Sequence, residues 1–156
     1  MTRFAAKTTV STEKSRAEIE AILRRYGASA FMYAWEGNRA IIGFRARDRH
    51  IRFTLPLPDR ESKEFTHSSR GPRSPDAVTV LWEQACRQSW RALALVIKAK
   101  LEAVEAGIVE FESEFLAHIV LPNGSTVGAW VRPQVALAYD SGDMPKMLPN
   151  YSGADQ

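Results

Sequence analysis

The sequence predicts an α+β fold: an N-terminal helix, a three-stranded antiparallel sheet, a long central helix packed on the sheet, and a C-terminal strand and helix. Three observations carry this prediction. They are a helical apolar period near the N-terminus, three runs of alternating apolar and polar residues separated by turn signals, and a long helical pattern that ends at Gly107. No linker divides these segments, so we expect residues 1–156 to form one domain, with 1–14 and 143–156 as tails that are flexible or laid on the surface.

The first helix is predicted over residues 15–26. Ser15 and Glu18 have the spacing of a capping box, and Gly27 supplies the stop. The apolar residues at i, i+3, i+4 and i+7 are Ile19, Ile22, Leu23 and Tyr26.

Three strands are predicted over 30–36, 39–47 and 49–55. Gly37-Asn38 joins the first two, and Pro56 ends the third. With a second two-residue turn at Asp48-Arg49, Arg45 lies opposite Arg52 and Arg47 opposite His50. The face predicted to be buried holds Phe31, Tyr33, Trp35, Ala40, Ile42, Phe44, Ala46, Ile51, Phe53 and Leu55. The opposite face holds Met32, Ala34, Ile41, Gly43, Arg45, Arg47, His50, Arg52 and Thr54.

The polar residues 59–73 are predicted to be a mobile loop. Ser74 as N-cap and Pro75 in the first turn then begin the central helix, which runs to Gly107. Its sheet-facing residues are predicted to be Val78, Leu81, Trp82, Ala85, Leu93, Val96, Ile97, Leu101 and Val104. Residues facing elsewhere are predicted to be Arg87, Trp90, Arg91 and Lys98.

The C-terminal part is predicted to contain a short acidic helix over 109–115 and a strand over 116–121. The turn Pro122-Asn123-Gly124 leads to a last helix, which begins near Thr126 and is kinked or divided by Pro133.

Composition limits the class of protein. The only cysteine, Cys86, permits no intrachain disulfide, and the N-terminal stretch lacks the apolar core of a signal peptide. We therefore expect a cytoplasmic protein, in the host cell if a phage encodes it. The net charge is +3, but of the 21 Lys and Arg residues only Arg132 and Lys146 follow residue 101. The first two thirds are thus strongly basic, which favours an anionic partner.

The basic sheet face and the following loop predict a nucleic-acid site, because guanidinium groups bind phosphate through paired hydrogen bonds. Trp90 and Phe65 are the aromatic residues that could stack on bases if exposed. The competing interpretation is a solvated sheet face whose charges only keep the chain dispersed. The candidate binding residues are Arg45, Arg47, Arg49, His50, Arg52, Arg60, Lys63, Arg70 and Arg73.

Catalytic chemistry is weakly indicated, and we predict no enzyme activity, cofactor or metal. Asp48, Glu61 and Lys63 suggest a metal-dependent nuclease only if they cluster. The histidines His50, His67 and His118 are candidate general bases, but no nucleophile motif accompanies them. His118 is predicted to fill a partly buried strand position, and Cys86 to pack in the central helix.

Two protein-interaction surfaces are also predicted. The acidic segment Glu102–Glu114 could join copies into a homo-oligomer or compete for the chain's own basic face; the competing interpretation is a solvated helix surface. The alternative to nucleic-acid binding is a module that modulates a host or phage protein through the apolar tail residues Met144, Met147, Leu148 and Tyr151.

The segment RALALVIKAKLEAVEAGIVEFESEFLAHIVLPNGSTVGAW, residues 91–130, resembles small proteins of actinobacterial phages and prophages. Separately, the order helix, three antiparallel strands, long helix over 15–107 is similar to the core of single-strand annealing proteins of phage DNA recombination. That resemblance implies rings or filaments that hold a DNA strand along the hairpin, with Arg45, Arg47, Arg52 and Arg73 in contact with it.

Overall fold

A computed structural model describes residues 5–144 and confirms the α+β architecture. The strands are β1 Ala30–Glu36, β2 Arg39–Ala46, β3 Arg49–Pro56, β4 His67–Ser68 and β5 Gly71–Pro72. The helices are α1 Thr12–Arg25, α2 Lys63–Thr66, α3 Pro75–Glu105, α4 Phe111–Phe115 and α5 Val127–Ser141. None of the helices within this range is long and apolar enough to cross a membrane.

Helix α1 begins one turn earlier than the sequence predicts. Ser11 is the N-cap, and its hydroxyl accepts a hydrogen bond from the Lys14 amide at 3.1 Å. Ser15, the predicted cap, is instead fully buried inside the helix. Two caps of the same chemistry four residues apart compete, and the earlier one wins because it lets another turn of helix form. Gly27 ends the helix with a φ of 87°, as predicted.

The sheet is a meander with the order β1-β2-β3. The second turn lies at Arg47-Asp48, whose φ angles are 48° and 59°, one residue earlier than predicted. Arg45 therefore lies opposite His50 and Gly43 opposite Arg52, so the predicted cross-strand partners were wrong. The other residues of β2 and β3 nevertheless keep their predicted faces, because moving a two-residue turn by one position shifts the pairing by two residues and preserves the side-chain alternation. Arg47, predicted on the open face, lies instead in the turn.

Helices α1 and α3 cover one face of the sheet and form the core with it. Ile42 and Phe44 of β2 and Ile51 and Phe53 of β3 are buried there, as predicted. β1 departs from the prediction, because Trp35 is 70% exposed.

The phase of α3 also differs from the prediction. Trp90 is buried against Tyr33 with ring centroids 5.7 Å apart, whereas Leu81 and Val96 of the predicted stripe are exposed. A long helix crosses the sheet at an angle, so one straight stripe of residues cannot face it along the whole length.

Residues 59–73 form an ordered excursion rather than a loop. They contain α2 and the small β4–β5 hairpin, and the side chain of Phe65 in α2 is buried. The Trp82 indole donates a hydrogen bond to the Pro58 carbonyl at 2.8 Å, which fixes the start of the excursion on α3.

The C-terminal part has the predicted helices but not the predicted strand. Leu116–His118 is a 3₁₀ turn, and only single bridges follow, between Ile119 and Ile51 and between Val120 and Thr126. Helix α5 continues undivided through Pro133 and buries none of its residues. Of the predicted apolar tail, Met144 is 82% exposed, while Met147, Leu148 and Tyr151 lie outside the described residues.

Candidate nucleic-acid interface

The nine predicted binding residues fall into three separate places. Those on the uncovered face of the sheet are Arg45, His50 and Arg52. Those at the β2–β3 turn are Arg47 and Arg49. Those in the excursion, beyond the other end of β3, are Arg60, Lys63, Arg70 and Arg73. Since β3 has eight residues, about 26 Å of strand separates the second and third groups. The nine residues therefore do not form one continuous patch.

The uncovered face contains a groove of about 250 Å³, which we call the basic groove. Its apolar floor includes Met32, Gly43 and Val120. The basic residues that line it are Arg45, His50 and Arg52. Gly43 lies beneath the Met32 side chain: a Cβ atom at Gly43 would lie 3.1 Å from the Met32 methyl group.

Both arginines of the groove donate a hydrogen bond to another residue of the chain. The Arg45 Nε donates to Nε2 of His50 at 3.2 Å, and an Arg52 terminal nitrogen donates to the Gly124 carbonyl at 2.8 Å. Within residues 5–144, neither guanidinium forms a salt bridge with a carboxylate. Each keeps further N–H groups and a full positive charge for an anion.

The arginines at the β2–β3 turn face the chain's own acidic segment. Arg49 forms an ion pair with Glu112 at 3.3 Å, and the Arg47 guanidinium lies 5.4 Å from the centroid of the Phe111 ring. Glu114 pairs in turn with Lys100 at 2.8 Å. Part of the acidic segment Glu102–Glu114 is thus paired with basic side chains of the same chain, although not with the arginines of the basic groove.

The arginines of the excursion hold the excursion itself. Arg73 donates to the carbonyls of Glu64 and Phe65 at 2.7 and 3.0 Å, and Arg60 donates to the Thr79 hydroxyl at 2.6 Å. Lys63 and Arg70 are exposed at its surface. Arg73 therefore has a structural function that the sequence did not indicate.

The two aromatic residues considered for base stacking are not available for it. Trp90 and Phe65 are 4% and 7% exposed, so the condition set for their stacking role is not met. Trp90 packs on Tyr33, and the guanidinium of Arg16 lies 4.4 Å above the Tyr33 ring.

The residues considered for catalysis are not brought together. Asp48 lies in the β2–β3 turn, while Glu61 and Lys63 lie beyond the far end of β3. Among residues 5–144 no group of three His, Cys, Asp or Glu side chains is placed to hold a metal ion. Cys86 is buried in α3, as predicted, and burial raises the pKa of its thiol.

The residues at the floor of the groove were not predicted from the sequence. Gly43 was placed on the correct face but was not named as a site residue, although a glycine inside an apolar strand often marks the close approach of a ligand or another backbone. Val120 could not have been found, because only the tertiary fold brings it to β3, where its amide donates to the His50 carbonyl at 2.8 Å.

No protein-family model, curated protein or solved structure matches the chain. The resemblances to actinobacterial phage proteins and to single-strand annealing proteins stay predictions.

Proposed function

We propose that the protein binds single-stranded nucleic acid, with DNA favoured, in the basic groove. The observation that supports this most directly is the combination of an apolar floor with two guanidinium groups that form no salt bridge within residues 5–144. A strand offers the matching pair of chemistries, phosphate for the arginines and a base face for the floor.

The shape of the groove favours a single strand over a duplex. Met32, Gly43 and Val120 form a shallow apolar surface that an unstacked base can cover. In a duplex the base faces are stacked on each other, and only phosphates and base edges are presented.

The two arginines have different parts in the proposed contact. Arg52 is half-buried and fixed by the Gly124 carbonyl, so it meets a phosphate already oriented. Arg45 is exposed and exchanges its hydrogen bond with His50 for one with a phosphate oxygen. A fixed charge lowers the entropy cost of binding, and an adaptable one accommodates different strand positions.

The biological setting we propose is phage DNA recombination, in which such a protein holds strands for annealing. The order of α1, β1–β3 and α3 supports this setting through its similarity to single-strand annealing proteins. The groove supports strand binding without specifying annealing.

The test is a fluorescence-anisotropy titration of labelled single-stranded and duplex oligonucleotides at two salt concentrations. We expect the single strand to bind more tightly, with log K falling against log salt with a slope of about −2 if about three phosphates are contacted. The variant Arg45→Ala/Arg52→Ala removes two of these contacts and is expected to weaken binding at least tenfold at low salt.

The matched control is Arg24→Ala/Arg25→Ala, which removes the same charge from the exposed end of α1 on the helical side of the sheet. We expect it to bind within about twofold of the parent. An equal loss of affinity in both double variants would mean that only the overall charge matters for binding, and the groove proposal would then be wrong.

A second candidate function, the protein-interaction module, is supported by α5. Its apolar side chains Trp130, Val135, Leu137 and Tyr139 are between 47% and 87% exposed. A helix that is apolar on most sides normally packs against something. If neither oligonucleotide binds at low salt, this candidate becomes the leading one.

A further inference from the structure

The two edges of the three-stranded sheet differ. The outer edge of β3 is covered by the C-terminal segment, through the bridge between Ile51 and Ile119 and the hydrogen bond from Val120 to His50. The outer edge of β1 pairs with no other strand within residues 5–144. One row of backbone hydrogen-bonding groups is therefore left without a strand partner in the described structure.

The residues that present these groups can be identified from the hydrogen-bond alternation. In an antiparallel sheet, successive residues direct their N–H and C=O groups to opposite sides of the strand. The His50 carbonyl points away from β2, toward Val120, and the Arg45 carbonyl opposite it points toward β1, where it accepts from the Ser29 amide at 2.8 Å. Counting along β1, the residues that direct their backbone groups outward are Phe31, Tyr33 and Trp35.

This edge lacks the features that usually prevent pairing. Natural edge strands carry lysine, proline, a bulge or an inward-pointing charge. β1 reads Ala-Phe-Met-Tyr-Ala-Trp-Glu, with its one charge at the last position. Met32 and Trp35 are 56% and 70% exposed along it. A seven-residue edge that is rich in aromatic residues and carries its one charge at the last position is suited to strand addition.

We propose that β1 pairs with β1 of a second copy of this chain, antiparallel and centred on Tyr33. In this register Phe31 lies opposite Trp35 of the second copy, Tyr33 opposite Tyr33, and Met32 opposite Ala34. All seven residues are paired, and every outward-directed backbone group of the strand finds a partner. Aromatic cross-strand pairs are among the most stabilising in sheets.

The register is what identifies a second copy as the occupant. A two-fold axis through Tyr33 brings Phe31 and Trp35 together twice and brings no two like charges face to face, since Glu36 lies opposite Ala30. The resulting six-stranded sheet has both helical layers on one side and both basic grooves on the other. This pairing does not depend on nucleic-acid binding.

The first test is the mass of the full chain in solution, measured by sedimentation velocity over a range of concentrations. We expect the parent to form a dimer of twice its 17.5 kDa. Trp35→Lys places a charge on the edge, and Trp35→Pro removes an outward N–H without removing a β1–β2 hydrogen bond. Each is expected to raise the dimer dissociation constant at least tenfold, with an unchanged circular dichroism spectrum.

The second test checks the register. Met32 and the second copy's Ala34 form a non-hydrogen-bonded pair, in which Cα atoms are about 4.5 Å apart and within disulfide range. Met32→Cys/Ala34→Cys is therefore expected to give a covalent dimer on oxidation that reduction reverses. Met32→Cys alone is expected to give little covalent dimer, because the cysteine at position 32 of the second copy would lie two residues along the partner strand from the position opposite.

Other surfaces are excluded by matched variants. Trp130→Lys tests α5, and Glu105→Lys/Glu110→Lys tests the acidic segment; both are expected to leave the dimer intact. A parent that stays at 17.5 kDa at every concentration overturns the proposal. So does a dimer that dissociates with either of these variants while Trp35→Lys has no effect.

Discussion

His118 shows how a single residue takes its properties from the fold. Its ring stacks on Phe53 with centroids 4.0 Å apart, at the junction between the 3₁₀ turn and β3. Partial burial, and then the nearby charge of Lys100, lower the pKa of the imidazole below its ordinary value of 6.5. The prediction that His118 is partly buried is confirmed, although the residue lies in a turn and not in a strand.

This lowered pKa predicts a pH dependence of stability. The unfolded chain takes up the proton first as the pH falls, because its histidine pKa is the higher one. The contribution of neutral His118 is therefore complete above about pH 6.5 and is lost as the pH falls through the lower, folded-state pKa. Urea unfolding at several pH values between about 7 and 5 should show this decline in the parent.

The variant His118→Phe preserves the stacked ring and removes the titration. We expect its free energy of unfolding to depend less on pH than that of the parent over the same window. A parallel decline in both proteins would assign the effect to other groups.

At the scale of elements, the β2–β3 turn is where local sequence and fold disagree. A two-residue hairpin turn of this kind requires positive φ at both positions, for which Asn-Gly is the usual choice. The chain uses Arg47 and Asp48, at φ 48° and 59°. The burial of Ile42, Phe44 and Ile51 on one face maintains the hairpin although its turn residues are unfavourable.

This strain predicts opposite effects of two substitutions at one position. Asp48→Gly is expected to raise the free energy of unfolding by about 0.5 kcal/mol, because glycine adopts positive φ without a steric cost. Asp48→Ala is expected to lower it by about 1 kcal/mol. Urea denaturation measures both, and the same sign for the two variants would contradict the argument.

At the scale of the whole molecule, the charge asymmetry is partly resolved within the chain. Arg49 with Glu112 and Lys100 with Glu114 join the basic and acidic parts. The basic groove remains on the uncovered side of the sheet, where the acidic segment forms no salt bridge with it among residues 5–144. Two such grooves would lie on one side of the proposed six-stranded sheet.

The two proposals together predict that affinity depends on strand length. The β2 strands that carry the two grooves would be three strand spacings, about 14 Å, apart. An oligonucleotide of about 24 nucleotides can reach both grooves of a dimer, whereas one of about 3 can occupy only one. We expect the parent to bind the longer strand at least tenfold more tightly, and Trp35→Lys to lose this difference but still bind the short strand. Anisotropy titrations measure both, and a length dependence unchanged in Trp35→Lys would separate the grooves from the dimer.

It was possible to predict from the sequence the order of α1, β1–β3 and α3, and the position of Arg45, His50 and Arg52 on one side of the sheet. These follow from periodicity, turns and caps, which act over a few residues. Tertiary structure alone decided which arginines remain without a carboxylate partner in the described chain. Glu112 pairs with Arg49, and the Val120 amide donates to His50 of β3, in both cases from a distant part of the sequence. The exposure of Trp35 and the lack of a strand partner for β1 within residues 5–144 were decided in the same way, because they depend on which parts of the chain pack against the sheet.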